Sequence, residues 1–380
     1  MSTTADPLPP EAYVVALAGL DGMGPARLRA LLARWSPAEA WRAVLDGRVL
    51  AESGAVDGER TTAEMERGWA RRAATVEVAA LWERHRRAGV GVWVWGGAGY
   101  PTDLLEDPDP PPVLFHRGDP AALDGPRVAV IGTRDCTRTG RDVAFELGRD
   151  LATAGVRVVS GLALGIDGAA HAGALAAAGA PPVGVVGSGL DVVYPRRNAR
   201  LWQEVARHGL LLSEYPLGGP PTAWHFPARN RILAALADLV VVVESHDRGG
   251  ALLTVDAAEA RQRPVMAVPG SVRSPASAGT NRLLSELEHG SVCRDATDVL
   301  VRLGLEAGAI NRGVDTRPAP QPDDAAVLDA AGWEPVTLEQ ILAASGRPLG
   351  EVVLALDRLE ADGWIVRRGG WFERVGGTHR

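Results

Sequence analysis

Six short apolar runs, several of them unbroken, punctuate the middle of this chain: Val128–Ile131, Val156–Val159, Val183–Val186, Leu210–Leu212, Leu239–Val243 and Val265–Val268. Runs this short, with no polar alternation, suit strands covered on both faces, as in a parallel sheet. Between them the apolar spacing predicts helices over 140–154, 168–178, 198–208, 228–236 and 254–262. Strand and helix alternating over residues 127–305 predict an α/β domain, an extended Rossmann-like, doubly wound sheet.

The flanks read differently. Tyr13–Leu17, then Leu28, Leu31, Leu32 and Trp35, recur at helical spacing, and residues 1–88 are expected to form an N-terminal helical domain of helix-hairpin-helix or SAM-like type. Gly22-Met23-Gly24 followed by Pro25 marks a turn into a new helix. Such a hairpin either offers its N-terminal amides to a DNA phosphate or simply turns a small bundle. Leu81–Ala88 reads as another helix and Gly91–Trp95 as a short strand. Residues 89–126 read as a Pro/Gly-rich connector centred on Asp107–Pro112, and 306–323 as a Pro-rich linker. Residues 324–376 pattern as three helices and a hairpin turning at Gly369-Gly370, the layout of a winged helix. Its possible recognition helix, 349–361, holds Glu351, Asp357 and Glu360, with Asp362 just beyond, against Arg358 alone. Such an acidic helix is a poor reader of a DNA major groove.

All 40 basic residues are arginine, and the formal net charge is −7. Arginine forks onto phosphate where lysine acts as a point charge. An acidic body still permits a local basic groove, because exposed fields decay within about a Debye length, ~10 Å. Cys136 and Cys293 stand alone, which argues against a disulfide framework or a zinc site, and no metal is expected. Residues 1–10 do not read as a signal peptide, and no apolar run reaches the roughly 18 residues of a membrane span, so a cytoplasmic protein is expected.

Glycine-bearing loops follow several strand ends. They are Gly132-Thr133-Arg134, Ser160-Gly161 with Leu162–Asp167, Gly187-Ser188-Gly189, and Pro269-Gly270-Ser271. Ligands of open α/β sheets bind beyond the carboxyl ends of the strands, and small residues there let a backbone or ring approach closely. The strict GxGxxG fingerprint is missing after Ile131, and a chain without lysine cannot hold a Walker sequence. Ordinary dinucleotide and P-loop chemistry are therefore disfavoured. Trp224-His225-Phe226 runs into Arg229-Asn230-Arg231 at a helix start. Rings beside guanidinium groups suit single-stranded nucleic acid, rings for bases and arginines for phosphates. The plainer alternative is that Phe226 is core and Asn230 a local cap.

Two further constellations stay open. Asp167 and His171, four apart, form an acid/base or metal-ligand pair, or Asp167 caps a helix starting at Gly168 while His171 packs locally. Glu214 and Glu244, at strand ends, are paired carboxylates or orient arginines.

In order, VAVIGTR (128–134), SGLALGIDGAAH (160–171), GSGLDVVYPRRN (187–198), LLSEYP (211–216), HFPARNRI (225–232), LVVVVES (239–245), GGALLT (249–254), and AVPGS (267–271) with GTNRLL (279–284) resemble the DNA-processing protein A family, also called DprA or Smf. The resemblance implies a non-catalytic, cofactor-free, homodimeric protein that binds single-stranded DNA. It also implies loading of RecA recombinase onto incoming DNA in natural transformation. It assigns DNA binding to Gly132, Thr133, Arg134, Ser160, Gly161, Gly187, Gly189, His225, Phe226, Arg229, Asn230, Arg231, Gly249, Gly250 and Thr254. Arg134 would grip phosphate and Phe226 would stack on a base. The chain departs from the family pattern at Leu164, where arginine is usual, and at Ala251, where a Ser-Gly-Ser-like triplet often ends. It departs again at Glu286–Gly290, and at Pro221–Trp224, where some members place a lysine.

Two other functions compete. A nucleotide-hydrolysing enzyme of the phosphoribohydrolase type would need a PGGxGTxxE motif, here split between Pro269-Gly270, Gly279-Thr280 and Glu286. A duplex-reading regulator would need the acidic helix 349–361 to enter a groove.

Overall fold

The computed structural model describes residues 8–53, 61–286, 291–305 and 317–375. Most of the expected linker (306–316), and residues 287–290 of the departure at Glu286–Gly290, lie outside the described residues. The chain forms two compact units, residues 1–310 and 311–380.

The first unit is built on a nine-stranded sheet. Its strands are β1 (Gly91–Val94), β2 (Val113–Gly118), β3 (Arg127–Ile131), β4 (Arg157–Ser160), β5 (Val183–Val186), β6 (Leu210–Ser213), β7 (Leu239–Val242), β8 (Val265–Ala267) and β9 (Ser291–Val292). They lie in the order β1-β2-β6-β5-β4-β3-β7-β8-β9. Strands β3 to β9 run parallel, while β2 joins β6 and β1 joins β2 antiparallel. All six apolar runs are strands, and β3, β5, β6, β7 and β8 are buried throughout. The reading of 89–126 as a connector missed β2. The apolar part of that strand is only Val113-Leu114-Phe115, directly behind three prolines.

The chain grows outward from β3 through β4 and β5 to β6, then crosses back to pair β7 with β3. The crossover is the helix His225–Leu236, whose Ile232, Leu233 and Leu236 pack on Val159, Val185 and Leu212. This reversal opens a crevice at the carboxyl ends of β3 and β7. On the opposite face, the helices Arg138–Thr153 and Ile166–Ala176 lie against β3, β4 and β7. The N-terminal helices share a core with the sheet: Val15, Leu17, Trp41 and Trp69 cluster with Phe115, Val186 and Leu211.

The helix expected to start at Gly168 begins at Ile166, capped by Gly165 at φ 78°. Asp167 is therefore inside the first turn and is not the cap. His171 is fully buried with Nε2 on the Val183 carbonyl at 3.2 Å, and burial pushes its imidazole down to about 4. Among the described residues no cluster of His, Cys, Asp and Glu could hold a metal ion, and no helix is long and apolar enough to cross a membrane.

The second unit is a winged helix. Helices Pro322–Ala331, Leu338–Ser345 and Leu349–Ala361 precede a hairpin of β11 (Ile365–Arg368) and β12 (Trp371–Arg374). A short strand, β10 (Val336–Thr337), adds to β12. Arg358 is taken by the buried Asp324 at 2.6 and 2.9 Å, so the one basic side chain of the acidic helix is already paired.

Two helices of the first unit touch backbone to backbone. A Cβ on Gly173 would lie 1.9 Å from the Phe145 carbonyl oxygen, and one on Gly148 would lie 2.2 Å from that of Ala170. In an open helix Gly→Ala stabilises by roughly 1 kcal/mol. Here the sign should reverse. Gly173→Ala is expected to cost about 1–3 kcal/mol by overpacking, read as a lower urea midpoint.

Candidate nucleic-acid interface

The crevice at the β3/β7 reversal is a cleft of about 430 Å³. Of the fifteen residues read as DNA-binding, nine line it: Gly132, Thr133, Arg134, Phe226, Arg229, Asn230, Gly249, Gly250 and Thr254. Gly161 lines a smaller adjoining hollow shared by Arg134, Phe226 and Arg229.

The turn after β3 is held from both sides. Thr133 N–H donates to the Glu244 carbonyl at the end of β7 (2.8 Å), and Ile166 N–H donates to the Thr133 carbonyl (3.3 Å). A Cβ on Gly132 would meet Ile166 Cγ1 at 2.5 Å, so only glycine lets these loops close. Thr137 then caps the helix Arg138–Thr153 by accepting from Gly140 N–H at 3.0 Å. The Glu244 carboxylate accepts from the hydroxyl (2.5 Å) and the N–H (2.8 Å) of that same threonine. Glu244 therefore orients a helix cap, while Glu214 orients an arginine, Arg231. They do not form a carboxylate pair.

Arg134 projects from this turn, exposed, with its guanidinium 5.2 Å from the centre of the Phe226 ring. Tyr194 lies on the same ring at 5.3 Å and is 41% exposed. Beneath it, a Cβ on Gly187 would lie 3.1 Å from Phe226 Cδ1, so the ring rests on bare backbone. The three side chains form a ladder of two aromatic faces and a cation. Arg134 has no carboxylate partner among the described residues. On the far wall, no side chain caps the helix Leu252–Glu259. The loop before it, Gly249-Gly250, lines the cleft, and a Cβ on Gly250 would meet open space.

Arg229 is the floor. It is 5% exposed, and its Nη1 donates to the carbonyls of Gly161 (3.0 Å) and Val185. Burial pulls its guanidinium down to about 10, against the opposing pull of Asp167. Asp167 accepts from Gly161 N–H at 3.1 Å, and burial pushes its carboxyl up despite Arg229. Arg229 thus ties the ends of β4 and β5 together and carries positive charge under the cleft.

The other residues read from sequence sit elsewhere. Ser160 is buried, its hydroxyl on the Val130 carbonyl at 2.6 Å. Gly189 N–H meets the Gly219 carbonyl at 2.9 Å, away from the cleft. His225 is buried, stacked on Tyr215 at 3.7 Å, with Nδ1 on the Gly187 carbonyl at 3.0 Å. Arg231 points away, bound to Asp109 (2.7 Å) and Glu214 (2.6 Å).

The cleft lining is close to neutral, with Arg134 and Arg229 against Asp135 and Asp167. The surplus positive charge is on flanking turns. Arg196 and Arg197 follow Tyr194-Pro195, and Arg248 precedes Gly249. All three are exposed, with no ion pair among the described residues. Tyr194 and these arginines were not singled out from sequence, although an aromatic followed by Pro-Arg-Arg was a usable signal. Glu286, which a hydrolase would need in the site, is exposed on another helix beside Arg282.

The profile of the family DNA recombination-mediator protein A matches residues 91–304, and that of the DprA winged helix domain matches 314–370. The chain is 38% identical over 203 residues to the DNA processing protein DprA of Bacillus subtilis, covering 53% of this chain and 68% of that protein. The crystal structure of DNA processing protein A from Streptococcus pneumoniae superposes with a TM-score of 0.64 at 32% identity, over 77% of this chain and 96% of that one. A Helicobacter pylori DNA processing protein A, described for its single-stranded DNA binding mode, superposes with a TM-score of 0.51 at 32% identity, over 56% and 95%.

Leu164 lines the small hollow beside Arg134, Tyr194 and Phe226 as an apolar, half-exposed wall. Leu164→Arg would place another guanidinium in that hollow, one more phosphate contact for a strand bound there. Single-strand affinity is expected to rise severalfold at low salt, and the slope of log K against log salt to steepen by about 0.7.

Proposed function

The chain belongs to the DNA recombination-mediator protein A family, and from that premise we propose that it binds single-stranded DNA in the β3/β7 cleft without catalysing a reaction on it. The observation that carries this reading is the ladder of Arg134, Phe226 and Tyr194 at the mouth of the cleft. A single strand offers free base faces and a phosphate every nucleotide. Base–aromatic stacking contributes roughly 1–3 kcal/mol per base and tolerates any sequence. Phe226 and Tyr194 supply the ring faces, and Arg134 supplies a charged fork to the adjoining phosphate. The amides of the Gly249-Gly250 loop and Asn230 complete the lining. A duplex keeps its bases stacked inside and would gain only the charge term. Single strands should therefore be preferred.

Family membership supports the further reading that the protein acts in the cytoplasm as a homodimer. It also supports the loading of RecA recombinase onto the bound strand during transformation. For the winged helix we propose a role other than duplex reading, because its helix Leu349–Ala361 is acidic and Arg358 is occupied by Asp324.

With Arg134, Arg196, Arg197 and Arg248 as the phosphate contacts, the slope of log K against log salt is expected near −3, from about 0.7 per contact. Fluorescence anisotropy of a labelled oligodeoxythymidylate measures it. Arg134→Ala should weaken binding about tenfold at moderate salt, independent of sequence, and flatten the slope by about 0.7. Unchanged affinity in that variant would remove the cleft from the function.

A further inference from the structure

A second cleft, of about 530 Å³, lies next to the first, on the other side of the start of the helix His225–Leu236. Phe226 faces the first cleft, while Trp224 and His225 line the second. The opposite wall is the N-terminal hairpin, Gly22-Met23-Gly24 with Pro25 and Arg27. Several bonds hold the walls together. Leu217 N–H donates to His85 Nε2 (3.4 Å), and Arg84 pairs with Asp191 (2.9 Å), which also accepts from Gly218 N–H (2.7 Å). Arg29, on the hairpin's second helix, pairs with Asp109, which also holds Arg231.

Three features of this cleft point to a ligand. Trp224 is 56% exposed, with the rings of Tyr215 and His225 perpendicular to its own. Glu214 lines the cleft with a side chain 2% exposed; Arg231 takes Oε1, and Oε2 has no hydrogen-bond partner. The Tyr215 hydroxyl beside it also has none. A buried carboxylate oxygen without a donor is costly, and a ligand that brings an N–H removes the cost. Finally, no side chain caps the helix Pro25–Arg34, and its N-cap is glycine, so its positive end faces the cleft bare.

We propose that the second cleft takes the next nucleotides of the same strand, with a base stacked on Trp224, its amino or ring N–H edge on Glu214 Oε2, and a phosphate at the start of the helix Pro25–Arg34. This rests on the single-strand reading of the first cleft and extends it into a track. Trp224 and Phe226 flank the start of the same helix, one lining each cleft, so a strand crossing that helix end runs from one ring to the other. A carboxylate accepts from the cytosine amino group, which an oligodeoxycytidylate presents at every position.

Two variants of the full chain test it against oligodeoxycytidylates of about six and about sixteen nucleotides, lengths within the range of single-strand site sizes. Trp224→Ala removes an exposed ring. Gly24→Asp meets nothing within 4 Å, since Gly24 has φ −74°, and it supplies an N-cap while placing negative charge where the phosphate would lie. Each should weaken the sixteen-mer about tenfold and leave the six-mer unchanged, and Gly24→Asp should raise the melting temperature. Wild-type affinity for the sixteen-mer in both variants would overturn the second cleft. Equal losses on both lengths would also overturn it, assigning Trp224 to the first. Failure of the wild-type protein to bind the six-mer would instead refute the first cleft, and the track with it.

Discussion

The buried guanidinium of Arg229 is the constraint on which the cleft depends. It enters from the crossover helix and bonds the carbonyls of Gly161 and Val185, so one side chain fixes that helix to the ends of β4 and β5. A buried charge is costly unless it is paired and hydrogen-bonded. Asp167, bonded to the N–H of the same Gly161, offsets it. A Cβ on Gly161 would stand 2.4 Å from Arg229 Nη2 and 2.6 Å from Asp167 Oδ2, so the pair closes only over glycine. With Arg229 in place, Phe226, three residues earlier, is held over Gly187 and against Arg134.

This arrangement separates two roles for arginine. Arg229 and Arg231 are structural, each consumed by acceptors inside the fold. Arg134, Arg196, Arg197 and Arg248 stand exposed around the mouth. A protein of net charge −7 can then hold an anionic strand, because the field that matters is local.

Much of this was legible in the sequence. The six apolar runs, the Gly132-Thr133-Arg134 turn and the winged-helix pattern follow from burial period, turn chemistry and helix spacing, each a local rule. Phe226, Arg229 and Asn230 share a helix face at i, i+3 and i+4, and the structure brings them to one cleft. The helical period, an overlooked signal, puts Arg231 on another face, whereas His225, four residues before Arg229, is drawn off by the Tyr215 ring and the Gly187 carbonyl. Other features were not legible. The caps at Gly165 and Thr137, and Glu244 behind Thr137, depend on which loops meet across the sheet. Strand β2 has too little apolar sequence to announce itself behind Pro110–Pro112. Tyr194 reaches Phe226 through the fold, across more than thirty residues of chain.

The central claim is that a single strand lies across the loops gathered by Arg229. Hydrogen exchange of the full chain, with and without a saturating oligodeoxycytidylate, tests it most directly, because amides under the strand should lose solvent access. New protection is expected at residues 132–136, 226–230 and 249–252, with none on the helix Leu349–Ala361. Protection confined to that helix, or absent from the turn carrying Arg134, would contradict it.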